Sequence, residues 1–572
     1  PNLGFINTDS YFLQQKYWAK VMGDRLVANK DLSPFEIYRL AAGIEEESTT
    51  NEEDADEDNT DPLGTALELL HEDLNYQQAA KLSQAVKLFD WVIRSVHLLP
   101  ATEMDAEAIA DSRLNDSESL SGAGIPGLGY TRFPWQTMLY SRGDFVERAK
   151  LFVSMLEQQG IDSVLISFKK DERFVPWSVA VPVADKLFLF DTKLALPIPG
   201  KQVGQIATLT DLRSNPELLT KLNLSVKESL NENAKYWVTE NDLKELKADL
   251  LVTPESLAYR FWELESKLVG DARIQVVINP TKIIQSLPKI EGLNYGLSDI
   301  EFETHQFRRT IRDAIASASF NDDIRNKLTW YYIDELYIDE FVRYRSARSK
   351  YFAGKFDVIR RDGQLNAIEH FYNMIYKDAV IDSLASDRNF QIAMSLNRGT
   401  MSAAEFSNAI KAVQANMRLV RRDSGYFLSH CHFDNGNFST AINWLTRLER
   451  IANTERWHAA INYLRGRSLE AQRDYESAIE VYKKEESEQF HGDLIRVRLL
   501  KSLIPQSVSI EKSSKSSLET NEAEVPFEEP DSPTESSEDE PSESPNKLED
   551  VENEKALESE QIQDSDGDQR AA

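Results

Sequence analysis

The residues with the clearest chemical potential occur in two places. The first is His430-Cys431-His432, which combines two imidazoles with the only cysteine of the chain, a residue set found in metal sites and in activated thiols. On a helix, residues i and i+2 diverge by about 200°, so the two histidines cannot easily share an ion. We therefore expect a packed Cys431 between two exposed histidines, and no metal site or cofactor.

The second place is the start of a helix that follows a loop rich in glycine and proline. The loop SGAGIPGLGYTRFP (121–134) precedes RGDFVERAKLFVSMLEQQG (142–160), whose apolar spacing predicts a helix that ends at Gly160. Three short apolar segments at 163–168, 177–183 and 186–191 predict strands. A nucleophile at such a helix N-terminus would be activated by the helix dipole, and Asp191 ends the last strand.

This order of elements resembles the transglutaminase-like core of the papain-like cysteine enzymes, over about 63–199. A helix ending FDWVIRSVHLLP (89–100) comes before the loop, and the last strand ends LFLFDT (187–192). The family motif G-x-C-x-[DE]-x-A-x-L aligns with Gly143, Phe145, Glu147, Ala149 and Leu151. The resemblance thus implies a helix packed on a small antiparallel sheet, with Phe145 at the position of the catalytic cysteine.

The same alignment implies that the other catalytic positions are also altered. Trp177, or Pro176, stands where the family has its histidine, and Asp191 alone keeps the family residue type. Phenylalanine cannot attack a substrate and tryptophan cannot act as a base, so the domain is expected to lack activity. A shifted alignment would make Ser141 or Asp144 the nucleophile. The charged residues around them (Arg142, Asp144, Glu147, Arg148) are expected on the solvent face of the helix.

Two segments near the end of the chain carry one pattern. In DNGNFSTAINWL (434–445) and AQRDYESAIEVY (471–482), an aromatic residue and an alanine recur after 37 residues, as Phe438 with Ala441 and Tyr475 with Ala478. The pattern resembles the tetratricopeptide repeat, whose period is about 34 residues. Gly436 suits the turn of the first copy, and Arg473 is a departure in the second. A fainter third copy occurs at ARSKYFAGKFD (347–357).

Stacked helical hairpins of this kind leave a concave groove that binds peptides. Polar residues of the first helices would select the peptide. The candidates are His430, His432, Asn435, Asn462, Arg465 and Arg467.

The strongly acidic composition belongs mostly to two segments. Of the net charge of −30, residues 44–61 and 506–572 carry −26, so the acidity describes solvated segments and argues against nucleic acid as a partner. No segment has the roughly 20 apolar residues of a membrane span, and we expect a soluble chain. It begins with Pro1, so a signal could be missing, and the location, cell envelope or periplasm versus cytoplasm, stays open.

These observations predict a mainly α chain with one α+β domain. We expect an N-terminal helical segment (1–43), an acidic linker or loop (44–62) and the degenerate transglutaminase-like domain (63–211). An almost wholly helical connection (212–340), with a short extended piece at 274–280, leads to the helical repeats (341–504) and a disordered acidic tail (505–572). The favoured function is a non-catalytic protein-binding scaffold or adaptor. A cryptic hydrolase or acyl transferase and an envelope-associated structural protein remain alternatives.

Overall fold

Helices account for most of the described residues, and a mixed sheet lies among them. The structure is a computed structural model, and it describes residues 7–44, 61–100, 131–229, 234–270, 273–299, 341–356, 365–393, 396, 398–399, 401–450, 457–484 and 487–518. The acidic segment 45–60 and residues 519–572 of the expected tail lie outside the described residues. Among the described residues, no helix is long and apolar enough to cross a membrane.

The N-terminal part is helical, as its apolar spacing predicts. Its elements are α1 (Asn7–Ala28), a 3₁₀ turn (Ser33–Phe35), α2 (Glu36–Ala41), α3 (Pro62–Leu70) and α4 (Tyr76–Ser95). Asn75 begins α4 through a capping box with Gln78. Nearly every residue of α4 from Leu82 onward is buried, so this helix lies at the centre of the fold and not on its surface.

The helix predicted after the Gly-rich loop is present, and two short strands and a short helix precede it. The elements are β1 (His97–Leu98), α5 (Pro134–Tyr140), β2 (Arg142–Gly143) and α6 (Phe145–Gln158), and β1 pairs with β2 in parallel. Asp144 caps α6, since its Oδ1 accepts hydrogen bonds from the backbone amides of Val146 and Glu147, both at 2.8 Å. Gly160 takes a φ of +67° just after the helix, a conformation that favours glycine.

The sheet has six strands and is mixed, which corrects the expectation of a small antiparallel sheet. The strands are β3 (Val164–Lys170), β4 (Arg173–Val183), β5 (Lys186–Asp191), β6 (Leu196–Pro197), β7 (Leu246–Val252) and β8 (Asn294–Asp299). Their order is β6-β5-β4-β3-β7-β8, with only β7 and β8 parallel.

The region 212–299 is also less helical than we expected, because it contributes β7 and β8. A short apolar run such as LKADLLV does not distinguish a strand from a buried helix by its periodicity. The helices here are short: α7 (Leu209–Ser214), α8 (Glu217–Thr220), α9 (Val226–Ser229), α10 (Tyr259–Glu265) and α11 (Pro280–Ser286). Residues 274–279 form no strand.

Both faces of the sheet are covered. Side chains alternate between the faces of a strand, and Leu165, Val179 and Phe190 belong to the core shared with α4 and α6, whereas Ile166 and Leu189 pack with residues of α7 and α8. The first core also includes Tyr351, Ala441 and Tyr482 of the helical region. Residues 1–513 accordingly belong to one compact unit.

Helices occupy the rest of the described chain. They are α12 (Phe341–Phe352), α13 (Ala367–Asn373), α14 (Asp378–Ser383), α15 (Arg388–Ala393), α16 (Ala403–Asp434), α17 (Phe438–Glu449), α18 (His458–Ala471), α19 (Tyr475–Tyr482) and α20 (Phe490–Leu518). α20 continues past Pro505, where we expected the disordered tail to begin; residues 506–518 contain neither glycine nor proline to end it.

The expected helical pairs are confirmed for α16 with α17 and α18 with α19, and α12 packs with α13 in the same way. Each turn has one residue with positive φ: Gly354 at +66°, Gly436 at +73° and Arg473 at +64°. Arg473 forms an ion pair with Glu36, at 2.8 Å. A Cβ on Gly466 would lie 2.5 Å from the Tyr482 ring, which explains the small residue at this position.

Candidate functional site

The three positions aligned with the catalytic residues of the transglutaminase-like family lie around one feature, the consecutive pair Tyr236-Trp237. Phe145 is the first residue of α6, and its ring meets the Trp237 ring at a centroid distance of 5.6 Å. The Trp177 indole donates a hydrogen bond to the Tyr236 hydroxyl at 2.8 Å, and this hydroxyl donates to Asp191 Oδ2 at 2.5 Å. Trp177, Tyr236 and Asp191 are all buried.

Both oxygens of the Asp191 carboxylate accept hydrogen bonds. Its Oδ1 accepts hydrogen bonds from the backbone amides of Lys193 and Leu194, at 2.8 and 2.9 Å. Burial raises the pKa of this carboxyl, and the hydrogen bonds from Tyr236, Leu194 and Lys193 offset part of that rise. Burial, together with the Asp191 carboxylate, also raises the pKa of Tyr236 well above its ordinary value. The hydroxyl therefore stays protonated and acts as a donor.

The first residue of α6, Phe145, is surrounded by side chains. The Lys193 ammonium lies 4.7 Å from the centroid of the Trp237 ring and 5.7 Å from that of Phe145, a cation–π arrangement. Thr192 adds a hydrogen bond from its hydroxyl to the Phe145 carbonyl oxygen, at 2.6 Å. We define the Asp191 site as Phe145, Trp177, Asp191, Tyr236 and Trp237.

One histidine lies beside the Asp191 site. The ring of His491, in α20, is 6.4 Å from that of Tyr236, and its Nε2 donates to the Leu222 carbonyl oxygen at 2.8 Å. Burial lowers the pKa of His491. Cys431 lies on α16 with no exposed surface, and burial raises its pKa. A thiol in that state is a poor nucleophile.

Sequence reasoning identified Phe145, Trp177 and Asp191 but missed Tyr236, Trp237 and His491. Tyr236 and Trp237 come from a polar loop with no helical or strand periodicity, and His491 is more than 250 residues away from them in sequence. Only the adjacent large aromatic residues in an otherwise polar segment, KYWVTE, gave a signal that this loop is buried.

The six residues proposed for a peptide groove do not share one surface. Three are buried, namely His430 at 1 %, Arg467 at 2 % and Arg465 at 7 % exposure. His432 and Asn462 are half-buried, and Asn435 is exposed. Both ring nitrogens of His430 are buried without a hydrogen-bond partner, and burial lowers its pKa well below the ordinary value. The expectation of an exposed His430 is therefore wrong, while the packed Cys431 is confirmed.

Arg467 and Arg465 are engaged within the chain. Arg467 forms an ion pair with Asp90 of α4 and donates to the Pro34 carbonyl oxygen at 2.8 Å. Arg465 donates to Glu449 at 2.5 Å and to the Asn462 side chain at 3.0 Å. The inner face of α18 thus packs on α4 and the 3₁₀ turn at Ser33–Phe35.

A buried cluster ties α16 to the N-terminal helices. Asp434 Oδ1 accepts from Arg94 at 2.8 Å, and its Oδ2 accepts from Arg25 and from the Tyr351 hydroxyl, both at 2.7 Å. We call these four residues the Asp434 cluster. A second group, the Glu470 cluster, joins Asp90, Arg467, Glu470 and Arg496, with Arg496 bound to both Glu470 oxygens at 2.5 and 2.6 Å. Two carboxylates balance two guanidinium groups in it.

The charged residues at the start of α6 are also buried, apart from the half-buried Asp144, and this corrects their expected place on a solvent face. Arg148 is 1 % exposed and donates to the carbonyl oxygens of Val96 and Thr192 at 2.9 and 3.1 Å. Arg142 lies 4.1 Å from the centroid of the Trp457 ring. Apolar periodicity could not reveal this, because the solvent side of α6 is covered by distant parts of the chain.

No family model, curated protein or solved structure matches this chain. Among the described residues, no group of three or more His, Cys, Asp and Glu side chains could hold a metal ion.

The hydroxyl of Tyr236 links Trp177 to Asp191. We expect Tyr236→Phe to lower the free energy of unfolding by about 1–3 kcal/mol, because the buried Asp191 oxygen and the Trp177 N–H each lose a hydrogen-bond partner. Urea unfolding followed by tryptophan fluorescence and circular dichroism measures this. Tyr17→Phe, at a residue with 44 % exposure, serves as the control and should change the value by less than about 0.5 kcal/mol. Equal effects would contradict a linking role for Tyr236.

Proposed function

We propose that this chain is a non-catalytic scaffold that binds a protein or peptide partner through its tetratricopeptide-like helical pairs, and that its transglutaminase-like region has a structural role. The observation that carries the proposal is the filled Asp191 site. Phe145 has no group that can attack a substrate, and Trp237 and Lys193 pack against the place where a substrate would approach.

The surface that best suits a partner lies on the second helices of the pairs. Tyr372 of α13 is 61 % exposed, and its ring meets Trp444 of α17 edge to face at 6.4 Å. Arg447 lies over the Trp444 ring, 5.0 Å from its centroid. Tryptophan, tyrosine and arginine are the residues most often found at the energetic centres of protein interfaces. We call these three residues the Trp444 patch.

A partner that docks on the Trp444 patch should be lost when its rings are removed. We expect the full-length Tyr372→Ser/Trp444→Ser variant, immobilised and exposed to lysate of the cells that produce the protein, to retain the specific partner at least about tenfold less than the wild type does. Quantitative mass spectrometry of the eluted proteins measures this. Tyr372 is exposed, whereas Trp444 is partly buried against the core, so the melting temperature of each variant is measured and retention is compared only between folded proteins.

The matched control is Tyr259→Ser/Trp262→Ser. These residues of α10 form an exposed stacked pair, with centroids 5.6 Å apart and exposures of 73 % and 56 %. The control should retain the partner as the wild type does. Loss of the same proteins from both variants would show non-specific capture by exposed rings, and unchanged retention by both would remove the Trp444 patch from the proposal.

A further inference from the structure

A cavity of about 520 Å³ lies between the loop 195–206 and helices α2, α4, α8, α18 and α20. This volume falls within the range of small-molecule sites in proteins, roughly 300–1,000 Å³. Most of the wall is apolar, and its buried contributors include Phe89, Ile93, Ile206, Leu222 and Ile495. The cavity is separate from the Asp191 site and from the Trp444 patch, because none of their residues lines it.

The inner wall of the cavity has charged groups that form ion pairs within the chain. Asp90, Arg467 and Arg496 line it, and all belong to the Glu470 cluster. Each of these guanidinium groups is paired with a carboxylate, Arg467 with Asp90 and Arg496 with Glu470. An apolar group can occupy this end without displacing an ion pair.

The mouth of the cavity differs from the inner wall. Its exposed lining residues include Lys201, Gln202, Val203 and Lys221, and Arg498 lies beside them, bound to Glu228 at 2.8 Å. Lys201 pairs with Asp211 at 3.4 Å, and its own side chain is exposed, so the pair is weak. Among the described residues that line the cavity, the single carboxylate is Asp90 at the inner wall. At the mouth, the three cations Lys201, Lys221 and Arg498 outnumber the two carboxylates that pair with them, Asp211 and Glu228, so the mouth keeps a net positive charge on a chain whose net charge is −30.

We propose that this cavity binds a single-chain amphiphile, with its apolar chain between α4 and α20 and its anionic headgroup at Lys201 and Lys221. The apolar wall supplies the affinity by removing the chain from water. The two lysines select for a negative headgroup. A carboxylate and a phosphate monoester share the required chemistry. This inference is independent of the proposed scaffold function.

The experiment uses the purified full-length chain and isothermal titration calorimetry below the aggregation concentration of each probe. Oleate, lysophosphatidate and the neutral oleyl alcohol are compared. We expect saturable one-to-one binding of at least one anionic probe, and binding of oleyl alcohol at least about tenfold weaker, since it lacks the charge. The tighter of the two anions identifies the headgroup, carboxylate or phosphate.

Two variants test the location. Lys201→Glu/Lys221→Glu should weaken binding of the anion at least about tenfold by like-charge repulsion. The matched control is Lys170→Glu/Lys289→Glu, at exposed lysines that do not line the cavity. The control should change the affinity for the anion less than about twofold. Val203→Trp should also weaken both anions by obstructing the mouth, and because Val203 is 42 % exposed this variant should keep the wild-type melting temperature.

Three results would overturn the inference. They are the absence of saturable binding for both anions, equal affinity for oleate and oleyl alcohol, and equal weakening by the mouth variant and its control.

Discussion

Replacing Asp434 with alanine is expected to lower the free energy of unfolding by about 3–5 kcal/mol, the usual cost of removing one member of a buried ionic group. Asp434 accepts hydrogen bonds from Arg25, Arg94 and Tyr351, and its side chain is only 4 % exposed. Without it, the Arg94 guanidinium stays buried, with a 3.4 Å contact to Asp90 and a position 4.1 Å from the centroid of the Phe433 ring. Chemical denaturation monitored by circular dichroism provides the measurement.

An exposed pair of similar geometry serves as the control. Asp378 pairs with Arg421 at 2.8 Å, but the Asp378 side chain is 71 % exposed, so Asp378→Ala should cost less than about 1 kcal/mol. If both variants cost the same, burial of the Asp434 cluster would not be the source of its effect.

The contribution of Asp434 should also depend on pH. Burial alone would raise the pKa of this carboxyl, but Arg94, Arg25 and the Tyr351 hydroxyl hold it below its ordinary value. A carboxyl whose pKa is lower in the folded protein than in the unfolded chain contributes its full stability at any pH above its pKa in the unfolded chain, about 3.9. This contribution is lost as the pH falls through the pKa of the carboxyl in the folded protein. The stability difference between the wild type and Asp434→Ala should therefore shrink below about pH 4. A constant difference down to pH 2 would contradict this.

Gly492→Ala is expected to destabilise the chain by about 3 kcal/mol, through overpacking. Gly492 lies in the first turn of α20, and a Cβ there would overlap the backbone carbonyl oxygen of Leu194. Backbone cannot rotate aside as a side chain can, so α20 or the loop after β5 must move. In an unhindered helix the same change would stabilise by up to about 1 kcal/mol, which makes the sign of the effect informative.

The control for this variant is Gly23→Ala in α1. There the new Cβ would meet the amide end of the Gln159 side chain at 2.5 Å, and this long side chain can move away. We expect Gly23→Ala to be neutral or slightly stabilising. Thermal and urea unfolding of the two variants should shift in opposite directions or, at minimum, differ by about 2 kcal/mol.

Several features could be predicted from local sequence because their causes are local. Helical spacing predicted α1, α4 and α6, and the 37-residue recurrence predicted the pairs α16–α17 and α18–α19. Phe438 and Tyr475 with Ala441 and Ala478 are indeed buried in those pairs. Three of the strands were predicted because they are short and apolar between turns, whereas β7 and β8 were missed because their sequences carry no strand-specific periodicity.

The candidate sites depended on distant contacts and were predicted less well. Alignment to a family motif placed Phe145, Trp177 and Asp191, but Tyr236 and Trp237 come from a loop whose position no local pattern encodes. Arg467 and His430 look like groove residues on an isolated helix. They are buried because α4 and other parts of the chain cover that face. A sequence pattern does not show which distant segments pack together.

The sequence by itself determined the residue types at positions 145 and 177, phenylalanine and tryptophan, the identity of most helices and the pairing of the last ones, since each follows from residue type and periodicity. Only the tertiary structure decided where the charges lie. It placed Asp90, Arg94 and Arg148 in the interior, because burial depends on which elements pack together and ionic partners are distant in sequence. It also created the cavity with its basic mouth, because five helices and one loop must converge to enclose it.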